Sequence, residues 1–401
     1  MTADGFAAGG AARCAVAAAA AGSDALAVSL LDTLDGIEAL AADWRSLEAR
    51  SEHPAFFQSA AWSIEAARHF AAAGTTFLVV ALRRAGRLVA VAPLKRLRCG
   101  PLVLAVDLGA PFGQYGGLLV DAGEDAHAVV DAVLAALRGH GIDGLLLRKL
   151  RADAPERPAL ARRGFPVGRP EAARAVALHP ERGFEAFRRG LPARIRKNVR
   201  NARNRAAALG PLDQRVFAAE ALPAMLDASF AGRSARLAAE GLTSTAFADP
   251  GFRAFVGRVA EAGAAGRIAI LASGLHAGEM ALALEWGFVH RGRYYAYLTA
   301  RDPRFDGFSP GRIHREEVLK TLIERGVAVA DLLAPDGPHK RAWTADATPI
   351  RDIAVPLTLR GRLYLAFWHG LLRPALVETY FALPARVRRP LHRLIAPRHS
   401  D

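Results

Sequence analysis

Residues 293–317 read RYYAYLTARDPRFDGFSPGRIHREE, and their pattern changes character part-way along. The opening stretch is rich in tyrosine (Tyr294, Tyr295, Tyr297) and predicts a strand. Asp302-Pro303 then breaks the run, and Ser309-Pro310-Gly311 suits a helix start. A serine hydroxyl at that place can accept from a free helix amide, and proline at the first helical position lacks only a donor that would go unused. Gly311 permits close backbone approach. Such a helix start, set at the end of a strand, presents unpaired amides and a positive dipole end to an anion such as a pyrophosphate, with Arg312 and His314 adding charge. Simple helix capping is the other reading of these residues.

Outward from this segment, apolar β-prone runs at 268–272, 280–288 and 293–298 precede a helix at 311–325 and a strand at 327–333. The first half of the chain carries the same order: runs at 76–82, 88–97 and 102–108, a short strand at 117–120, a helix at 126–137 and a buried strand at 144–147. Internal duplication is the simplest account, and it predicts an α/β (α+β) protein of two tandem lobes, each a mixed, mostly antiparallel sheet flanked by helices. The expected divisions are an Ala/Gly-rich disordered leader at 1–24, a first lobe at 25–180, a second at 181–360 and a basic amphipathic extension at 361–401. Residues 353–359 are expected to add a closing strand to the second lobe.

Between the lobes, 191–209 predicts a basic helix carrying Arg194, Arg196, Lys197, Arg200, Arg203 and Arg205, with Leu191, Ile195, Val199, Ala202 and Ala206 on its packing side. The arginines form either a solvated face or a phosphate-binding one. The chain as a whole has 401 residues, a formal charge of +14 and 52% hydrophobic residues, a globular composition whose basic surface favours anionic partners. Its two cysteines, Cys14 and Cys99, lack the spacing of a zinc site or disulfide framework, which fits a reduced cytoplasmic setting. There is no Walker loop, nucleophile elbow, dinucleotide fingerprint or metal-spaced His/Cys cluster, so no metal is expected.

Trp44, Phe56-Phe57-Gln58, the loop and strand at 109–120, the basic helix and the segment 302–311 occur in an order that resembles the CelD/BcsL family. These are GNAT-superfamily acetyltransferase-like proteins associated with bacterial cellulose and exopolysaccharide synthesis, similar in lobe architecture to the FemABX aminoacyltransferases. The match spans about residues 26–358. It implies two tandem GNAT-like lobes. Acetyl-CoA or another acyl-CoA would lie along a splayed strand of the second sheet, its pyrophosphate near Ser309, Gly311, Arg312 and His314. A small-molecule or saccharide amine would enter between the lobes. The chain departs from the pattern in lacking the usual glycine-rich pyrophosphate loop, with Ser309-Pro310-Gly311 in its place.

Amide formation from a thioester needs a deprotonated amine, a polarised carbonyl and a proton for the leaving thiolate. Glu285, which interrupts an apolar strand, is the candidate base; a buried partner for an arginine is its alternative. Tyr297 is the candidate acid or a packing residue, and Asp302 a catalytic carboxylate or a turn residue. Gln114 and Tyr115, in the glycine-rich segment 107–116, face either substrate or the second lobe. Arg196, Arg200, Lys340 and Trp343 complete the candidate acceptor side. Beyond residue 361, apolar residues followed by Arg386, Arg388, Arg389 and Arg393 suit peripheral contact with the inner membrane or packing on the protein's own core. Three functions follow: acyl-CoA-dependent N-acyl transfer, aminoacyl transfer from charged tRNA (the one reading with a nucleic-acid partner), and a non-catalytic accessory role in exopolysaccharide assembly.

Overall fold

The computed structural model describes residues 25–52, 56–242, 244–384 and 387; the expected leader at 1–24 lies outside them. The first half runs β1 (Ala27–Leu31), α1 (Leu34–Ala39), α2 (Ala41–Arg50), α3 (Ala60–Ala72), β2 (Val79–Arg84), β3 (Arg87–Ala92), β4 (Leu94–Cys99), β5 (Leu102–Asp107) and β6 (Leu119–Val120). It continues through α4 (Ala126–Gly139), β7 (Gly144–Arg151), α5 (Arg157–Arg163) and β8 (Phe165–Ala177). Next come α6 (Gly183–Gly190), α7 (Ala193–Ala206), β9 (Leu212–Val216), α8 (Leu222–Glu240), α9 (Phe252–Ala264), β10 (Ile270–Ala277), β11 (Met280–His290) and β12 (Arg293–Arg301). The chain then forms α10 (Pro310–Glu324), β13 (Val329–Asp331), α11 (Pro338–Arg341) and β14 (Ala347–Pro356). A final helix comprises α12 (Leu359–Tyr364), a π-helical stretch (Leu365–Leu372) and α13 (Arg373–Ala382).

These strands make a four-stranded sheet, β1-β2-β3-β6, and a ten-stranded sheet, β4-β5-β7-β14-β8-β13-β12-β11-β10-β9. Each half contributes a meander, a helix and a strand laid parallel to the meander's last member, β5 beside β7 and β12 beside β13. Pro93, with no amide to donate, separates β3 from β4, and there the chain leaves one sheet for the other.

The two halves exchange strands. β14, expected to close the second lobe, instead pairs antiparallel with β7 of the first, Ile353 opposite Leu147 and Val355 opposite Leu145. β8 pairs along β14 and then, at Ala175–Ala177, with β13 of the second half. Ile353, Ala354 and Val355 are buried, so the correction has a simple cause: the apolar face of β14 covers the first half's core.

A single hydrophobic core also joins the halves. Phe56 stacks on Phe288 with ring centroids 4.2 Å apart, and Phe112 on Phe255 at 4.7 Å. Trp62 and Phe57 pack edge-on against the same group. An apolar interface of this kind holds the halves as one body rather than as hinged domains.

Candidate functional site

β12 and β13 pair only at Arg293–Tyr295 and Val329–Asp331. β12 then runs on to Arg301, whereas the other chain turns aside after Asp331 through Leu333, whose φ is +59°. The result is a wedge between parallel strands. Inside it β12 carries a bulge: Tyr295 faces Phe288 and Leu298 faces Trp286, so Ala296 and Tyr297 together oppose Gly287. An extra residue here leaves backbone polar groups outside the ladder and re-aims the strand. Gly287 makes room for it, since a Cβ at that position would strike the Tyr295 carbonyl.

The first half has the equivalent wedge beyond Leu104–Val106 and Gly144–Leu146, but its own chain fills it. The Gly116 amide donates to the Arg148 carbonyl at 2.7 Å, and the amides of Gly117 and Arg148 donate to the Asp107 carboxylate at 3.1 and 3.2 Å. A Cβ on Gly116 would lie 2.5 Å from the Arg148 carbonyl oxygen. Burial pushes Asp107, and Glu156 behind the loop, up to about 7.

Beside the second wedge, Glu285, Ser273 and Thr299 stand opposite one another on adjacent strands; Thr299 is exposed and the other two are buried. Arg315 on α10 donates to Glu285 at 2.7 Å, and the Tyr294 hydroxyl donates to the same oxygen at 3.3 Å. Burial raises the Glu285 carboxyl, opposed by the Arg315 charge. Lys340 on α11 donates to the carbonyls of Leu333 and Pro335, both at 2.8 Å, and is pushed down to about 8, chiefly by burial and then by Arg315. Its neighbour His339 is lowered by burial and by Lys340, Arg315, Arg236 and Arg301. Cations from α8, β12, α10 and α11 thus crowd one place. On the α8 side lies a cavity of about 690 Å³, walled by Ala228, Gly232, Ala235, Ala283 and Ala300 and lined also by Asp302 and by the ion pairs Arg236–Glu240 and Arg301–Asp306.

The Lys340 ammonium carries a pH prediction. Because its pKa near 8 lies below the usual lysine value, the site loses a charge as pH rises from 7 to 9. An anionic ligand would favour the charged form, so binding of a probe such as inorganic pyrophosphate is expected to take up protons near pH 8 and to weaken above it. Calorimetry in buffers of different ionisation enthalpy measures that uptake; it should vanish in Lys340→Met.

Several sequence expectations fare differently in the fold. Ser309 precedes α10 but sits in the left-handed region (φ 55°, ψ 48°), and its hydroxyl makes no capping bond; the Ser309 carbonyl accepts from the Arg312 amide instead. Gly311 and Arg312 are exposed at the helix start, and a Cβ on Gly311 would meet nothing within 4 Å. His314, expected among the cofactor contacts, points inward: it is 2% exposed, 3.0 Å from the Ser273 hydroxyl, and burial pushes it down to about 3. Asp302 caps the short 3-10 turn 303–308 and pairs with Arg304 at 2.6 Å.

The Tyr297 hydroxyl donates to the Phe112 carbonyl at 2.9 Å, tying the bulge to the first half, and burial raises its pKa. Tyr115 is buried and donates to Asp331 at 2.8 Å, while Gln114 accepts from Lys149 at 2.9 Å. Both make contacts within the protein. Trp343 is buried in the core beside α10. Arg196 donates to the Arg189 carbonyl at 2.9 Å, and Arg200 lies exposed on α7. Arg315, Arg236, Arg301 and His339 were not among the sequence candidates, because only the fold gathers them.

Residues 193–341 match the family model described as Acetyltransferase (GNAT) domain. Among solved structures, the chain is similar to that of FemX, with a TM-score of 0.59 and 12% identity over 85% of this chain and 99% of the other. The chain has the GNAT fold. It is also similar to the C-terminal domain of a putative lysylphosphatidylglycerol synthetase from Agrobacterium fabrum, with a TM-score of 0.50 and 15% identity over 82% and 97% of the two chains. No curated protein matches the sequence. Within this GNAT fold the matched segment contains β12, α10 and β13, and so the second wedge. Among the described residues no three His, Cys, Asp or Glu side chains are grouped to hold a metal ion.

Proposed function

We propose that the protein is an acyl-CoA-dependent N-acyltransferase whose donor lies in the second wedge, and that it is of the CelD/BcsL type, serving polysaccharide or cell-envelope synthesis. One observation carries the reading of the donor site: of two equivalent wedges, the first is filled by its own loop, while the second carries the bulge and has Arg315 and Lys340 beside it. The donor's pyrophosphate is assigned to the start of α10 at Gly311 and Arg312, within reach of the Arg315 group of charges. Its carbonyl is assigned to the bulge, where backbone groups outside the ladder are free to polarise it. The amine nitrogen attacks the thioester carbon, the carbon–sulfur bond breaks, and the proton lost by the amine ends on the departing thiolate. Glu285, opposite the exposed Thr299 across the ladder and paired with Arg315, is our candidate for the carboxylate that carries that proton.

The alanine-walled cavity supplies room for the acyl chain. Calorimetric titration with acetyl-CoA and octanoyl-CoA is expected to give saturable binding, at least about tenfold tighter for the longer chain, which is the effect of burying roughly two of its extra methylenes. Ala235→Trp, on the exposed side of α8, should remove that preference and leave acetyl-CoA binding as it was. Folded wild type that binds neither thioester overturns the proposal. The tRNA-dependent alternative rests on the exposed Arg194, Lys197, Arg200 and Arg205 of α7, and predicts retention of charged tRNA that weakens steeply with salt.

A further inference from the structure

The final helix is apolar on two sides. Its inner side is spent on the protein: Leu365 is fully buried against Leu104, Val106, Leu146, Val167 and Ala354, and a Cβ on Gly361 would strike the Asp143 carbonyl. Arg360 pairs with Asp143 at 2.6 Å, and farther on the Tyr380 hydroxyl donates to the Gly241 carbonyl of the second half at 3.0 Å. The helix is therefore fastened at both ends.

Its outer side carries Leu359, Leu363, Phe367 and Leu371, which are 75%, 65%, 59% and 65% exposed. Leu376 and Phe381 extend this apolar surface, and elsewhere among the described residues exposed large apolar side chains occur singly. In an α-helix, residues four apart drift by about 40° per step. The wider i→i+5 turns of Leu365–Leu372 bring four residues nearer to a full revolution, so Phe367 and Leu371 stay in line with Leu363. The winding makes a straight apolar edge where a regular helix would spiral it away.

Charge decides what covers that edge. Arg360 is spent on Asp143, but Arg362 stands exposed near the start of the edge, and the sequence after the helix adds Arg386, Arg388, Arg389, Arg393 and Arg398 against Asp401 alone. A second copy of the chain would bring the same cations face to face, whereas an anionic bilayer complements them while taking up the apolar side chains. Among the described residues no helix is long and apolar enough to cross a membrane. We infer that the outer face of the helix Leu359–Ala382 lies on an anionic membrane surface.

The test is flotation of the full chain with phosphatidylcholine vesicles, with and without about one-third phosphatidylglycerol. The wild type should float with the anionic vesicles only. Phe367→Ser/Leu371→Ser removes two exposed side chains and should keep the wild-type circular dichroism and thermal midpoint, yet lower the bound fraction at least about tenfold. Replacing Arg388, Arg389 and Arg393 by glutamine should have a similar effect. Equal flotation of wild type and the serine variant, or flotation independent of lipid charge, overturns the inference. So does a wild type that stays with no vesicle and is a dimer by light scattering that the serine variant dissolves, which would make this face a contact between copies.

Discussion

Gly311→Trp is expected to lower CoA-thioester affinity about 100-fold and transfer activity with it, while the protein stays folded. A Cβ at Gly311 would meet open space, so the indole has somewhere to go without displacing the core. The space it takes lies over the start of α10, where the donor's pyrophosphate would receive helix amides and the Arg312 charge. Two charge-assisted hydrogen bonds lost there account for the expected loss. Calorimetry and far-ultraviolet circular dichroism on the same sample decide the matter. A folded variant that binds as tightly as the wild type would move the pyrophosphate elsewhere, whatever the fate of the acyltransferase reading.

The second large effect concerns Glu285 and Arg315, a buried pair 2.7 Å apart, 4% and 12% exposed. Arg315→Met strips the carboxylate of its counter-charge at a site where burial already raises its pKa, and should cost about 3–5 kcal/mol of stability. Glu285→Leu alone should be comparably destabilising, since it leaves Arg315 charged beside Lys340 and His339. The double variant Glu285→Leu/Arg315→Met should recover most of the loss, because a well-packed apolar pair replaces a desolvated ionic one. Urea unfolding of the four proteins closes the cycle, and simple additivity of the single losses would show that the two side chains do not act as a pair. The double variant, though folded, should still bind CoA thioesters weakly if Arg315 contributes to the anion site.

Much of this was legible in the sequence where structure follows local pattern. The tyrosine-rich strand, the turn at Asp302-Pro303 and the helix from Pro310 lie where 293–317 predicted them. So do the basic helix, the second meander and the two-lobe α/β fold, whereas the run 88–97, read as one, is divided at Pro93 between two sheets. β8 was not legible: Pro166, Gly168, Pro170 and Glu171 break any strand pattern, and the pairing that holds the segment extended comes from β13 and β14, far along the chain. β14 was read only in its second half and given to the wrong sheet, because alternation reveals a buried face but not the strand beside it. At the site, Glu285 was found as a charge in an apolar strand, with an arginine partner foreseen. Arg315 itself stood among many arginines, and His314 and Arg315, adjacent in sequence, point to different surroundings through the helical turn alone.

The exchange of strands bears on how the protein is made. When Ala177 leaves the ribosome, β7 and β8 are both complete, yet β14, which lies between them, has not been translated. At about 5–20 residues per second, roughly 10–35 s pass before Ala347 follows. Through that interval the nascent first half carries the apolar run Gly144–Leu147 as a bare sheet edge, open to pairing with any other extended chain. Ribosomes translating one message together would bring such edges close. The demand for chaperones should therefore peak in mid-synthesis and fall once β14 seals the sheet.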